Sequence, residues 1–315
     1  MTSRIKVGVA VALLGIALTA CTQTKESADE GGSQGSTTKT GVHIGVVVHG
    51  ATGDQFWSDV KDGVEDAAGE TGSEVDYQST ADPDEQGRFI AAEVSKKVDA
   101  IVVSIPSVDA LSGPIQAAED AGVPVIVINS GANDWKDLGA VGFVGQDETV
   151  AGNVAGEAMK DAGVTKILCI NITQVIQAVD DRCAGAEQGF GGAVETIRVD
   201  LGDAAGAVAA VSAKLAEDTS IDGVLSLGGG VYTTGRDAIK QSGSSAKYGT
   251  FDVNDDINAG LEDGGLLFAL DQQPYIQGYQ AVVMGALLAS KNLLIGGGVA
   301  PILSGPRLLT PDSAS

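Results

Sequence analysis

The stretch "VHIGVVVHGATGDQFWSDVKDGVEDAAGET", Val42 to Thr71, carries two periodicities in succession. Its first part is a continuous run of small and β-branched residues, as a strand covered on both faces must be. Its second part, from Phe56 to Thr71, places apolar residues at helical spacing. Between them the glycines let the chain leave the strand closely, and Asp54 can cap the helix that follows. The same joint places Phe56 beside Trp57 in a chain with only 4% aromatic residues.

The strand-turn-helix order then repeats. "AIVVSI" (100–105) and "VPVIVIN" (123–129) read as buried strands, and "DEQGRFIAAEVSKK" (84–97) and "DALSGPIQAAEDAG" (109–122) as amphipathic helices. These are βαβ units, which imply a parallel sheet with right-handed crossovers. A second series begins with the helix "DETVAGNVAGEAMKDAG" (147–163). It continues through the strands "KILCIN" (166–171), "ETIRVD" (195–200), "GVLSL" (223–227) and "YGTFD" (248–252), with a helix from about Asp181. A single open sheet of ten or more strands is uncommon, so the expected fold class is α/β: two doubly wound, Rossmann-like parallel-sheet domains joined by a multi-strand hinge. "GLLFALDQQPYIQGYQAVVMGALLASK" (265–291) adds a strand and a long helix that starts near Pro274 and returns to the first domain. The expected boundaries are 41–146 plus 273–298 for the first lobe and 147–272 plus 299–315 for the second.

The amino-terminal residues read differently. Arg4 and Lys6 precede a short apolar stretch and then "LTAC", ending at Cys21. That pattern is an export signal over 1–20, too short to span a bilayer as a stable helix. It resembles the bacterial lipobox, which implies lipidation of Cys21; an ordinary secretory signal is the alternative. Residues 22–40, rich in Ser, Thr and Gly, form a flexible tether, so that 21–40 is a lipidated terminus plus linker.

The 315 residues, 43% of them hydrophobic, have a formal net charge of −23. That charge argues against nucleic acid as a partner, because phosphate contacts need clustered Lys and Arg. Cys169 and Cys183 are an even pair in an exported chain, where a disulfide or two buried thiols both fit.

In open parallel sheets ligands bind beyond the carboxyl ends of the strands. Standing there are His49 and the following "GATGDQFW", Ser104, Asn129, Ser130, Asn171, Gly228 to Gly230, Asp252, Asp271 and Gln272. Planar amides and carboxylates can bond neighbouring hydroxyls together, and an aromatic face covers the apolar face of a sugar ring. Phe56 and Trp57 are the candidate wall, although neighbours on a helix point about 100° apart, which sends one of them to the core.

Enzyme motifs are missing. There is no "GxxxxGK[ST]", no "GxGxxG" after the first strand and no "GxSxG", and His43 and His49 cannot make a three-His zinc site. No enzyme activity, cofactor or metal is expected.

With these residues in view, the chain resembles the type I periplasmic binding proteins of bacterial ABC importers, the ribose- and galactose-binding group, from Gly41 to about Gly305. "IGVVV" with "DQFWSDVKDGVEDAA" resembles that family's first strand and aromatic-bearing helix. "DAGVPVIVINS" is similar to its fourth strand, with Asn129 where Asp is usual. "VGQDETVAGNVAG" resembles the crossover, which implies that Asp147 and Glu148 lie at the cleft. "DDRCAGAEQGF" is similar to the "RxxG" element, so Arg182 matches its sugar-binding Arg, and "GTFD" and "DQQPYIQG" carry over Asp252 and Gln272. The implied ligand set is Asp54, Phe56, Trp57, Asn129, Asp147, Glu148, Asn171, Arg182, Asp252 and Gln272. Arg182 could otherwise pair with Asp180 or Asp181, and Trp135 could approach the cleft or pack in its loop.

The resemblance implies a monomeric, extracytoplasmic lipoprotein, anchored to the membrane through its lipid, that closes on a small sugar or polyol and delivers it to ABC permease subunits. A sensor of the same fold that signals to a membrane receptor, or a glycan-processing enzyme, are the alternatives.

Overall fold

The computed structural model describes residues 41–313, apart from Thr52, Gln174 and Val175. The expected signal, Cys21 and the tether lie outside the described residues.

The opening stretch folds as its periodicities require: β1 (His43–Val48) is followed by α1 (Gln55–Thr71). Asp54 caps α1 by accepting from the Phe56 backbone N–H at 3.0 Å, and Trp57, Val60, Val64 and Ala67 form its buried stripe. The first series continues through β2 (Glu74–Ser79), α2 (Pro83–Lys96), β3 (Ala100–Val103), α3 (Val108–Asp120), β4 (Val125–Ile128) and β5 (Gly142–Gly145). The second runs α4 (Glu148–Asp161), β6 (Lys166–Ile172), α5 (Gln177–Phe190), β7 (Ala193–Val199), α6 (Ala204–Glu217), β8 (Gly223–Ser226), α7 (Gly229–Ser242), β9 (Lys247–Phe251), α8 (Asp255–Glu262) and β10 (Phe268–Asp271). Last come α9 (Pro274–Lys291), β11 (Ile302–Leu303) and β12 (Arg307–Leu309).

These strands form two sheets, in the orders β11-β5-β4-β3-β1-β2 and β12-β10-β9-β8-β6-β7. All pairings are parallel except β10 with β12, so the fold is the expected pair of doubly wound α/β lobes. β1, β3, β4 and β8 are buried along almost all their length because helices cover both faces. Along β1, Val46 and Val48 face one apolar layer, with Trp57 and Val60, while Val47 faces the other, with Ile101 and Leu111.

The chain crosses between lobes three times, near 146–147, 272–273 and 304–306. One boundary differs from expectation. Residues 299–315 do not all join the second lobe: Ile302 and Leu303 pair with Val144 and Gly145 at the open edge of the first sheet before β12 pairs with β10. The edge strand β5 thereby gains a partner for its exposed backbone groups. The helix expected from about Asp181 starts one turn earlier, at Gln177.

The crossings are tied to one another. Ser304 Oγ donates to the Gln272 carbonyl at 2.7 Å, the Ser304 backbone N–H donates to the Gly145 carbonyl at 2.7 Å, and Gln277 Nε2 reaches both the Gln272 carbonyl (3.1 Å) and Ser304 Oγ (3.2 Å).

Candidate functional site

In each sheet the strand order reverses at one place, between β1 and β3 in the first and between β6 and β8 in the second. The crevices at the carboxyl ends of those strands are where this architecture receives ligands.

Arg182 is at the second of them. It stands on α5, is only 5% exposed, and makes a two-pronged pair with Glu148 on α4: Nε to Oε2 at 2.7 Å and Nη2 to Oε1 at 3.0 Å. Nη1 donates to the carbonyl of Leu227, just past β8, at 2.6 Å, and the guanidinium lies 4.7 Å from the centroid of Phe251. Of the five guanidinium N–H groups these bonds use three, and one on each Nη is not engaged by them. Burial raises the Glu148 carboxyl above its ordinary range against the opposing pull of Arg182 and Gln146, whose Nε2 donates to Glu148 Oε2 at 2.7 Å. Burial alone would lower Arg182, but Glu148 more than offsets it and the guanidinium stays charged.

The separation of α4 and α5 is set by backbone contact. A Cβ on Gly185 would lie 2.2 Å from the Thr149 carbonyl oxygen, and one on Gly152 would lie 2.2 Å from that of Arg182. No larger residue fits at either place without moving the helices that carry the ion pair.

A second group of side chains runs across the middle crossover. Ser130 Oγ donates to Asn129 Oδ1 (3.0 Å), Asn129 Nδ2 to Gln272 Oε1 (3.3 Å), and Gln272 Nε2 to Asp252 Oδ1; Asp252 Oδ2 accepts from the Gly229 N–H at the start of α7 (2.9 Å). Asn129 and Asp252 both sit at strand ends with left-handed backbones, φ 60° and 68°. Asn and Asp tolerate that conformation better than other side chains, and it turns them out of their strands.

Asp54 faces this group from the first lobe. Desolvation, and then the charge of Asp252, raises its carboxyl above the ordinary range. Asp147 caps α4 through the Val150 N–H (3.0 Å) and lines an interlobe cavity of about 240 Å³ with Ser107, Asn129, Asp134 and Asp181. Asn133 Nδ2 donates to Asp181 Oδ2 across it at 3.2 Å. A second interlobe opening, about 530 Å³, is walled by Asp59 and Asp62 on one lobe and Asn254 and Asp255 on the other. Carboxylates thus dominate both approaches, while the guanidinium of Arg182 is already balanced by Glu148.

The structure therefore brings together Asp54, Asn129, Asp147, Glu148, Arg182, Asp252 and Gln272. It places Trp57 and Asn171 elsewhere and leaves Phe56 half-buried at the edge of the first-lobe core. Trp57 is 7% exposed in the first-lobe core, its ring edge-on to His49 at 4.7 Å; Phe56, edge-on to Trp57 at 5.1 Å, is the half-buried ring of the two. Asn171 is spent on Asp180 Oδ1 (2.7 Å) and the Ile172 N–H (2.7 Å), in a depression between α5 and β7. Trp135 is buried in the first-lobe core. Asp180 pairs with Arg198 and Asp181 bonds Gln177, so neither holds Arg182. Cys169 and Cys183 form a disulfide that fastens α5 to β6 next to Arg182.

Gln146 and Phe251, which touch the Glu148–Arg182 pair, carry no signal in the sequence that singles them out. His49 stands among the strand-end residues, directly after the first strand, but is not in the ligand set that the family resemblance implies. The other histidine, His43, lies within reach of Asp76 and Glu93, and the Lys96 ammonium stands 2.8 Å from both carboxylates, so that cluster holds its own cation.

Comparison with known proteins agrees with this arrangement. The family described as "Periplasmic binding protein domain" matches residues 44–293. A carbohydrate transporter from Acidothermus cellulolyticus, solved with myo-inositol, is 35% identical, with a TM-score of 0.83 over 87% of this chain and 96% of that one. Two solute-binding proteins of ABC transporters share the fold at lower identity. The Agrobacterium vitis protein with α-D-tagatopyranose is 23% identical, with a TM-score of 0.75 over 87% of this chain and 96% of that one. The Burkholderia graminis protein with D-arabinose is 21% identical, with a TM-score of 0.75 over 86% and 96%. No curated protein sequence matches the chain. Two doubly wound lobes joined by three crossings, with a polar cleft between them and a family match across most of the length, make this chain a member of the type I periplasmic binding protein family.

Proposed function

We propose that this chain is an extracytoplasmic solute-binding protein that closes its two lobes around a small neutral sugar or polyol and delivers it to an ABC permease. The observation that carries the reading is the pairing of Arg182, with two N–H groups not engaged by Glu148 or Leu227, against Asp54 and Asp252, which have oxygens left to receive. A hydroxyl is both donor and acceptor and satisfies both kinds of group at once. Phosphorylated and acidic sugars meet carboxylates at either opening and are disfavoured. The 35% identical neighbour holds myo-inositol, which makes inositols the first compounds to try. Closure then follows from ligand binding the closed arrangement better than the open one.

Attachment to the membrane through an acylated Cys21 is part of the same proposal, supported by the sequence pattern ahead of it. Among the described residues no helix is long and apolar enough to cross a membrane.

The test is a thermal-shift panel on the purified protein: myo-inositol, D-arabinose, D-allose and D-tagatose, with their phosphates and with amino acids as controls. A true ligand at 100 times its dissociation constant stabilises by about 2.7 kcal/mol. A shift from amino acids alone, or from the phosphates as much as from the neutral sugars, would refute the reading.

A further inference from the structure

His49 stands where the strand order of the first sheet reverses, directly after β1 and beside Ser104, directly after β3. Its backbone N–H donates to Ser104 Oγ at 2.9 Å, and its ring Nδ1 lies 2.7 Å from the same oxygen. A hydroxyl has one proton, and the backbone N–H cannot accept it. Ser104 is fully buried and, of the two groups at its hydroxyl, only Nδ1 can accept, so the arrangement that leaves no buried hydroxyl proton unpaired has the Ser104 O–H donating to Nδ1. A neutral ring then carries its own proton on Nε2, at the edge turned away from Ser104.

The ring is also held from behind. Trp57 packs edge-on against it, 4.7 Å between centroids and 69° between planes. Burial, and next the charge of Arg182 from the facing lobe, pushes the imidazole pKa down to about 3, so the ring is uncharged at any physiological pH. Nε2 has no partner among the described residues, and His49 as a whole is largely but not fully buried.

We propose that His49 is a ligand-binding residue, an oriented neutral donor whose Nε2–H bonds one ligand oxygen at the floor of the cleft, with Ser104 fixing the tautomer and Trp57 the ring plane. The role rests on the sugar reading above and narrows it. At this point the ligand must accept from an N–H that carries no charge while its neighbouring groups donate to Asp54 and Asp252. A hydroxyl does both, whereas an ammonium can only donate and leaves Nε2–H unpaired. The site thereby favours polyols over amines although it is rich in carboxylates. It also assigns Trp57 a part: a support for the residue that touches the ligand, one layer behind it.

The experiment is calorimetric titration of myo-inositol, D-arabinose and D-allose into the full chain and two variants, His49→Gln and His49→Leu, together with ¹⁵N shifts of the His49 ring. Gln can present its amide N–H close to where Nε2–H lies, so His49→Gln should bind within about threefold of the parent, and His49→Leu about tenfold more weakly. The ring nitrogens should report a proton on Nε2 and a bare Nδ1. Equal binding by His49→Leu, or a proton on Nδ1, would overturn the role while leaving the sugar reading intact. Failure of the parent chain to bind any of the three compounds would overturn the sugar reading and the role together. If both variants lost thermal stability while their folded fractions bound like the parent, His49 would be structural and the proposal wrong.

Discussion

Gly185→Ala is a one-carbon change whose effect can be worked from the geometry. The added Cβ would stand 2.2 Å from the Thr149 carbonyl oxygen, where ordinary contact begins near 3.4 Å, so α4 and α5 must separate by roughly 1.2 Å. Thr149 adjoins Glu148, and Gly185 lies within a turn of Arg182. The Nε to Oε2 distance of 2.7 Å would then open toward roughly 3.9 Å, beyond hydrogen-bond range. Replacing a helical Gly by Ala alone is worth about 0.5–1 kcal/mol of stability, whereas overpacking costs about 1–3 kcal/mol and a fully broken buried pair about 3–5 kcal/mol. Because the pair is stretched rather than removed, the expected net loss is about 2–4 kcal/mol. Urea denaturation measures that loss, and calorimetry with myo-inositol should show affinity falling at least about tenfold, since the guanidinium no longer sits where it can serve the cleft. Gly69→Ala is the control: that glycine lies inside α1 with nothing within 4 Å of the added carbon, so it should gain about 0.5–1 kcal/mol. A Gly185→Ala protein as stable as its parent, or destabilised with unchanged affinity, would refute the claim that this helix seam sets the ion pair.

Two further outcomes are expected. Reducing the Cys169–Cys183 bond frees a loop spanning 14 positions and should lower unfolding free energy by about 3 kcal/mol, read as the difference between denaturation curves with and without dithiothreitol; coincident curves would contradict it. The folded-state pKa of Asp54 is raised, so its carboxylate opposes the folded arrangement above the unfolded pKa, and the penalty fades as pH falls through the folded one. Asp54→Asn keeps a capping side chain and should raise the melting temperature of the ligand-free protein at pH 7, with the gain shrinking toward pH 4; a gain that grows on acidification would reverse the assignment.

The two-lobe fold was legible because each strand and helix declares itself by period, and the strand-end rule found Asn129, Asp252 and Gln272 by position. The rule failed at Asn171 for a plain reason. β6 continues to Ile172, and Asn171 shares a face with Cys169, two residues back, so its amide meets α5. Trp57 and Phe56 could not be told apart without knowing which way α1 rolls on its sheet. The partner of Arg182 was sought among its sequence neighbours, but Asp180 and Asp181 point off other sides of α5, and Glu148 comes from a helix that only packing brings near. The joining of Cys169 to Cys183 likewise depends on a side chain facing inward from a strand onto a helix, a relation that spacing along the chain does not contain.

The three crossings bear on mechanics. One tether between two bodies permits bending and twisting alike. Three tethers side by side, cross-linked through Ser304 and Gln277, leave bending easy and make torsion shear those bonds. Motion between the lobes then reduces to a single coordinate, so a surface that reads the distance between the rims also reads whether the cleft is filled.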